Sequence, residues 1–173
     1  PDGEGISAYL GITGQLTPKL AATIKGGWQE GDYDGPREDF DGGVFSVDVI
    51  HHCTETLLLT LGATRQAIES TYLSNYYFTN TQVRVGLEKS MGPRVRLSVS
   101  AFYANNDYPE RIAYAGGRGE REDDIWAASV GLKYSLQTWL STNLSYRHEE
   151  RDSNRDIYDY EDNRVSLGVS AIF

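Results

Sequence analysis

Asn163-Arg164-Val165-Ser166-Leu167-Gly168-Val169-Ser170-Ala171-Ile172-Phe173 alternates almost without a break. In an extended chain successive side chains point to opposite sides. Val165, Leu167, Val169, Ala171 and Phe173 therefore share one face, and Arg164, Ser166, Gly168 and Ser170 share the other. Only Ile172 interrupts the polar set. A strand that stops on an aromatic ring frays unless something holds it. The pattern predicts a strand whose two faces meet two different surroundings.

The same alternation recurs eight times upstream. It marks strands over Ile6 to Leu16, Leu20 to Gln29, Gly43 to His52, Leu57 to Ala67, Tyr76 to Glu88, Val95 to Tyr103, Trp126 to Leu136 and Leu140 to Arg147. The connections fall into two classes. Thr17 to Lys19, Cys53 to Thr56, Ser90 to Pro93 and Gln137-Thr138 are short turns. Glu30 to Gly42, Glu69 to Asn75, Asn105 to Asp123 and Glu149 to Asp162 are longer and mostly acidic. Because the two classes alternate along the chain, every short turn lies at one end of the strands and every long connection at the other.

Composition narrows the choice of architecture. A chain of 173 residues with 18 Gly, 12 Tyr, 3 Trp and a single Met suits one β domain over 1–173. Mean hydropathy is −0.48, and no run approaches the roughly 18 apolar residues of a membrane helix. A membrane barrel remains open, since its strands cross with about 9 to 11 residues of which only alternate ones are apolar. A soluble sandwich also alternates, but its strands are usually about 5 to 6 residues and its turns do not sort by end. Cys53 stands alone and matches no disulfide, metal or haem spacing.

Charge and aromatic placement decide between the two. Residues 1–5, 30–41, 105–124 and 149–162 hold 21 of the 25 acidic and 6 of the 16 basic residues, a balance of −15 that leaves +6 elsewhere. Trp28, Phe45, Tyr77, Tyr103, Trp126 and Tyr146 sit on apolar faces near the acidic ends of their strands, with Tyr134 and Phe173 near the opposite ends. Amphipathic rings collect at the two lipid headgroup levels of a barrel, whereas a soluble core places its largest side chains mid-strand. The sequence therefore predicts an all-β, antiparallel, up-and-down transmembrane β-barrel. Its polar wall carries Lys25, Asp48, Arg84, Glu88, Arg94, Arg96, Lys133, Arg147 and Arg164, an excess of cations that predicts a lumen favouring anions. An internal ion-pair lattice is the competing expectation for the same residues.

Bacterial single-chain barrels have an even number of strands. Nine strands leave β-edge groups unpaired, at a cost of several kcal/mol each in hydrocarbon. The expectation is that these are about nine C-terminal strands of a larger barrel, with at least one strand preceding Pro1.

Read from Ser166 to Phe173, the order polar, any, Gly, any, any, apolar, any, apolar resembles the C-terminal assembly signal of Gram-negative outer-membrane barrels, with Ser166, Gly168, Ala171 and Phe173 at its marked positions. The run Ser145-Tyr146-Arg147-His148-Glu149-Glu150-Arg151-Asp152-Ser153-Asn154, followed by a Tyr-rich acidic loop and the terminal strand, resembles the end of outer-membrane β-barrel porins, some of them associated with exopolysaccharide export. The resemblance implies residence in the bacterial outer membrane, handling by the barrel-assembly machinery, and contact with lipid and lipopolysaccharide. It also implies a transport role for anionic solutes or an acidic polysaccharide. A structural barrel enclosing a partner protein is the alternative function.

Catalytic and nucleic-acid roles find little support. There is no Gly-x-Ser-x-Gly, His-x-x-x-His or Cys-x-x-Cys, so no enzyme, metal or cofactor is expected. His51 and His52 lie beside a short turn and His148 faces the apolar side. Asp32-Tyr33-Asp34-Gly35 lacks the remaining ligands of a calcium loop. No exposed basic tract suits nucleic acid.

Overall fold

The computed structural model describes residues 3–33, 39–70, 77–114 and 117–172. Nine strands follow in order: β1 (Gly3–Thr17), β2 (Leu20–Tyr33), β3 (Phe40–Thr54), β4 (Leu57–Glu69), β5 (Tyr77–Met91), β6 (Val95–Tyr114), β7 (Gly117–Ser135), β8 (Leu140–Ser153) and β9 (Tyr160–Ala171), with one 3-10 turn at Asp156–Tyr158. Each strand pairs antiparallel with the next in a single sheet ordered β1 to β9. Among the described residues the sheet is open, its outer strands being β1 and β9.

The register keeps the two chemistries apart. Ala8 lies opposite Trp28, Ile24 opposite Val47, Leu61 opposite Val85, Val99 opposite Val130 and Leu144 opposite Leu167. On the other face Thr23 meets Asp48, Gly62 meets Arg84, Ser100 meets Ser129 and Ser145 meets Ser166. A slip of one residue in any strand would exchange its two faces, so the apolar pattern itself fixes the pairing. The apolar side chains lie open to their surroundings, Leu10, Ile12 and Leu167 among them. A single layer with so much exposed hydrocarbon on one side requires an apolar medium there.

Short connections knit one end of the sheet. The His52 amide donates to the Lys19 carbonyl at 2.8 Å, Ser90 N–H to Thr56 at 2.8 Å, Ser135 N–H to Arg94 at 2.8 Å and Ile172 N–H to Trp139 at 2.9 Å, tying each turn to a neighbouring strand. Gly92 has φ 79°. That left-handed geometry suits glycine and lets the chain reverse before Pro93.

At the opposite end the strands run further than the hydrophobic alternation predicts. Much of the segments expected as long acidic loops is ladder. β2 continues to Tyr33, β3 begins at Phe40, β6 and β7 continue past Tyr103 and Trp126 to Tyr114 and Gly117, and β8 runs to Ser153. The β6–β7 ribbon extends beyond Tyr103 by on the order of 30 Å at about 3.3 Å per residue. Its pairing shifts between Tyr108 and Ile112, across Pro109. Pro has no amide proton to give to a ladder, and a bulge accommodates it.

Crowding distinguishes the faces as well. A Cβ added to Gly62 would lie 2.5 Å from the Arg84 guanidine, and one at Gly27 would meet the Ala8 carbonyl and the Tyr9 ring. Gly14 and Gly26, on the apolar face, have nothing within 4 Å. Curvature brings side chains together on the concave side, which marks the polar face as the inner one. Gly27→Val is expected to lower unfolding stability by about 1 to 3 kcal/mol through overpacking, while Gly14→Val leaves it within about 0.5 kcal/mol. Urea midpoints in detergent, followed by tryptophan fluorescence, check both.

Candidate functional site

The polar face carries the charged residues singled out from sequence, and most of the cations on it have partners. Arg84 of β5 reaches across β4 to the Asp48 carboxylate of β3, passing over Gly62. Arg96 of β6 pairs with Glu88 of β5 at 3.3 Å. Arg147 of β8 bonds Glu149 two residues on, and its guanidinium lies 5.0 Å from the Phe102 ring centre. Arg164 of β9 bonds Asp162 at 2.9 Å. Residues two apart on a strand share a face, so Arg147 with Glu149 and Asp162 with Arg164 are pairs dictated by the pleat.

Lys25, Arg94 and Lys133 have no ion pair among the described residues. The stem of Lys25 lies over Gly11 in mid-sheet. Arg94 sits in the turn before β6. Lys133 faces Arg96 across the β6–β7 ladder, with Asn143 on its other side. Like charges directly opposite are unfavourable. Glu88 offsets only one of the charges in this group, so a net positive patch remains near the short-turn end.

Beyond the apolar band the polar face holds a cluster that the sequence reading did not single out. Asp123 is 0% exposed and Arg121 2%. Arg121 donates to Asp123 through Nε at 2.9 Å and Nη2 at 2.5 Å. Its guanidinium is sandwiched between Tyr108 at 4.5 Å and Tyr158 at 3.5 Å. Ser153 Oγ donates to Asp123 at 2.6 Å, Arg155 reaches the Gly119 carbonyl, and Phe78 stacks on Tyr108 at 4.9 Å. Burial opposes the charge on Arg121, but the hydrogen bonds and charge of Asp123 outweigh it and raise the guanidinium pKa. The 3-10 turn is thereby drawn onto the inner side of β7. The available signal was the continued period of two in Arg121-x-Asp123-x-Ile125-x-Ala127, whose first two members are charged, so that a hydrophobic scan stops at Ile125.

On the apolar face Trp28, Phe45, Tyr103, Trp126, Tyr134 and Tyr146 are exposed. Several hand their polar atoms to groups just beyond. Trp28 Nε1 donates to Asp41, Tyr103 Oη to Asp124 at 2.5 Å and Tyr146 Oη to Asn163 at 2.6 Å. His148 packs its ring 4.9 Å from Trp126. Tyr77 departs from this group. It is 8% exposed, lies edge-on to Phe40 at 5.2 Å, and packs in a small cluster with Val44 and Ala67. Alternation assigned Tyr77 to the girdle, but beyond the Phe45–Arg65 pair β3 no longer pairs with β4, which frees Phe40 and Val44 to cover the ring.

Of the terminal residues, Ser166 pairs with Ser145, Gly168 lies beneath Asn143, and Ala171 pairs with Leu140. Phe173 lies outside the described residues.

Above the rings the same face turns acidic. Asp107 lies directly opposite Glu122, and burial, followed by Glu122 and Glu120, raises its pKa, with Arg65 pulling the other way. The raised value means that the folded state holds this proton more tightly than the unfolded chain. Stability is therefore lost as pH rises through the folded pKa. Asp107→Asn is expected to slow amide exchange in the β6–β7 ribbon at pH 7, and the difference from wild type should vanish at a pH below the ordinary carboxylate range. Arg121→Met strands a buried carboxylate and should cost about 3 to 5 kcal/mol locally. Limited proteolysis of the ribbon reads this loss, and adding Asp123→Leu should recover much of it.

No curated protein matches the chain in sequence. Among solved structures it resembles the loop L8 deletion mutant of OmpT, an outer membrane protein of Vibrio cholerae, with TM-score 0.63 and 13% identity over 96% of this chain and 53% of that one. OmpT expressed in the outer membrane matches at TM-score 0.61 and 11% identity, over 97% and 56%. The FpvAI–pyocin S2 complex matches at TM-score 0.72 and 11% identity, over 99% of this chain and 26% of that one. At such identities the likeness is one of fold. The chain spans about half the length of the OmpT chains it matches, and its nine-stranded open sheet corresponds to part of larger outer-membrane barrels. The family described as Putative beta-barrel porin 2 matches residues 1–173, so this chain, a β-barrel protein of the bacterial outer membrane, belongs to that family.

Proposed function

We propose that the polar face lines the lumen of a porin-like channel that favours small anions, with the preference set by Lys25, Arg94 and Lys133. One observation carries this reading. The four other cations are neutralised by Asp48, Glu88, Glu149 and Asp162, whereas these three have no acidic partner among the described residues. A paired arginine contributes a dipole whose field decays quickly. An unpaired ammonium or guanidinium on such a wall keeps more of its field than a paired one and raises the local anion concentration. Ser, Thr, Asn and Gly on the same face leave a wettable surface along which a solute can exchange hydrogen bonds. Acidic glycans fall within the solute class such a wall favours. The free edges of β1 and β9 pair with further strands in the closed barrel, since no open edge persists in hydrocarbon.

Conductance in planar bilayers tests the proposal. Across a salt gradient the intact barrel is expected to show a reversal potential on the anion side. Replacing Lys25, Arg94 and Lys133 together by Gln should move it toward zero or past it. Arg84→Gln, which leaves Asp48 unpaired, should shift selectivity toward cations by a different route, adding a negative charge. A barrel that conducts nothing, or a triple variant with unchanged selectivity, sinks the reading.

A further inference from the structure

Phe102 falls on the polar face of β6, in series with Arg96, Ser98 and Ser100, where the alternation calls for a polar residue. It stands directly opposite Arg84 on β5 and Ala127 on β7, and the Arg147 guanidinium lies over its ring. A ring on a wetted wall loses free energy to hydration unless something apolar covers it.

Beside that ring is a hollow of about 190 Å³ in the middle of the wall. Gly86 keeps its floor bare, since a Cβ there would lie 2.6 Å from Thr60 Oγ1. Thr60, Gln82, Arg84, Ser100, Phe102 and Ser129 surround it. Ser100 Oγ donates to Ser129 Oγ at 3.3 Å, Thr60 Oγ1 donates to the Gly86 carbonyl at 3.4 Å, and the Gln82 amide has no partner among the described residues. Hydroxyls and amides can both donate and accept. The volume is below the roughly 300 Å³ of the smallest drug-sized pockets and suits a single six-membered ring.

Charge and polarity narrow the occupant. Asp48 offsets Arg84, Glu149 offsets the neighbouring Arg147, and none of Lys25, Arg94 and Lys133 borders the hollow. A small anion therefore finds no unpaired cation there. An apolar molecule would strip water from three hydroxyls and an amide and offer them nothing in exchange. A pyranose answers both demands, because its axial C–H bonds form an apolar face while the hydroxyls around its rim donate and accept.

We propose that this mid-wall hollow is a subsite for one neutral pyranose ring of a saccharide, its C–H face on Phe102 and its hydroxyls on Thr60, Gln82, Ser100 and Ser129. The subsite deepens the channel reading, since it needs the polar face open to solute, but it does not draw on the anion preference.

Saturation-transfer NMR tests it. The intact barrel in detergent micelles is titrated with a neutral glucose trisaccharide, with empty micelles as the blank. Transfer is expected to be strongest to the axial C–H protons of one ring, and sorbitol, which has the hydroxyls without a rigid apolar face, should receive none. Phe102→Ala should weaken binding by about fivefold, the scale of a lost ring contact. Phe102→Tyr should retain it, and Ser100→Ala with Ser129→Ala should weaken it by about threefold, the scale of a lost hydrogen bond. No transfer to the trisaccharide overturns the subsite, as do equal transfer to sorbitol and an affinity unchanged in Phe102→Ala. Replacing Lys25, Arg94 and Lys133 by Gln should leave the affinity as it was, and a loss there overturns the neutral site. Saccharide binding by a barrel that conducts nothing keeps the subsite and sinks only the channel, whereas an anion-selective barrel that binds no saccharide does the reverse. Heat-modifiable migration on gels establishes that each variant is folded before it is scored.

Discussion

Backbone amides and carbonyls in hydrocarbon have no water to turn to, and every other property of this chain follows from satisfying them. A continuous antiparallel ladder from β1 to β9 does so strand by strand. Once the ladder is in place, side chains must alternate between its two sides, and each position belongs to lipid or to the interior. The ladder therefore converts a periodicity of two in the sequence into two surfaces of opposite chemistry. It also explains why lone glycines recur on the inner face, where Arg84 and Tyr9 need room to lie along the wall.

Inside the membrane band this logic was legible, because the alternation there is written in hydrophobicity. Val165 through Ala171, or Val95 through Tyr103, could hardly be paired otherwise without exposing charge to lipid. Outside the band the constraint weakens. The first part of the β6–β7 extension is still a ladder, but charged and amide side chains such as Asn106, Arg121 and Asp123 there stand among the apolar ones, and the apolar marker is diluted. Asn106 and Asp123 pair across it with neither side chain apolar. A run such as Glu120-Arg121-Glu122-Asp123-Asp124 reads as a solvated loop to any method that scores hydropathy. Tyr77 failed for a related reason. Its position along β5 was read correctly, but its burial depends on Phe40 and Val44, brought near by a divergence of β3 from β4 that no local pattern announces.

The charges show the same division between local and non-local information. Arg121 with Asp123, Arg147 with Glu149 and Arg164 with Asp162 are all two residues apart on one strand, so each pair is visible in the sequence once the strand is granted. Arg84 with Asp48 is not, since it spans 36 positions and two strands and requires Gly62 between them to be bare. A count of interior arginines consequently overstates the field they make. Of the seven cations expected on the wall, two are paired between strands and two within a strand, so a carboxylate offsets more than half of them.

Position then matters more than number. In about 0.1 M salt a charge is felt over roughly 10 Å, so a mid-wall lysine and a patch near the short turns act as separate stations and not as a smooth gradient. Lys133 and Arg96 face each other across β6 and β7 with only Glu88 to moderate them. Such an arrangement costs folding stability, and nothing in the packing of that end requires it: neighbouring strands place serine, asparagine and glycine at equivalent positions without loss of pairing. The strain is concentrated at the short-turn end, whereas at the long-strand end the buried Arg121 and Asp123 bond each other, with Ser153 on the same carboxylate. One end of the sheet thus sets two cations across a ladder with a single carboxylate beside them, and the other sets its buried cation directly against an anion.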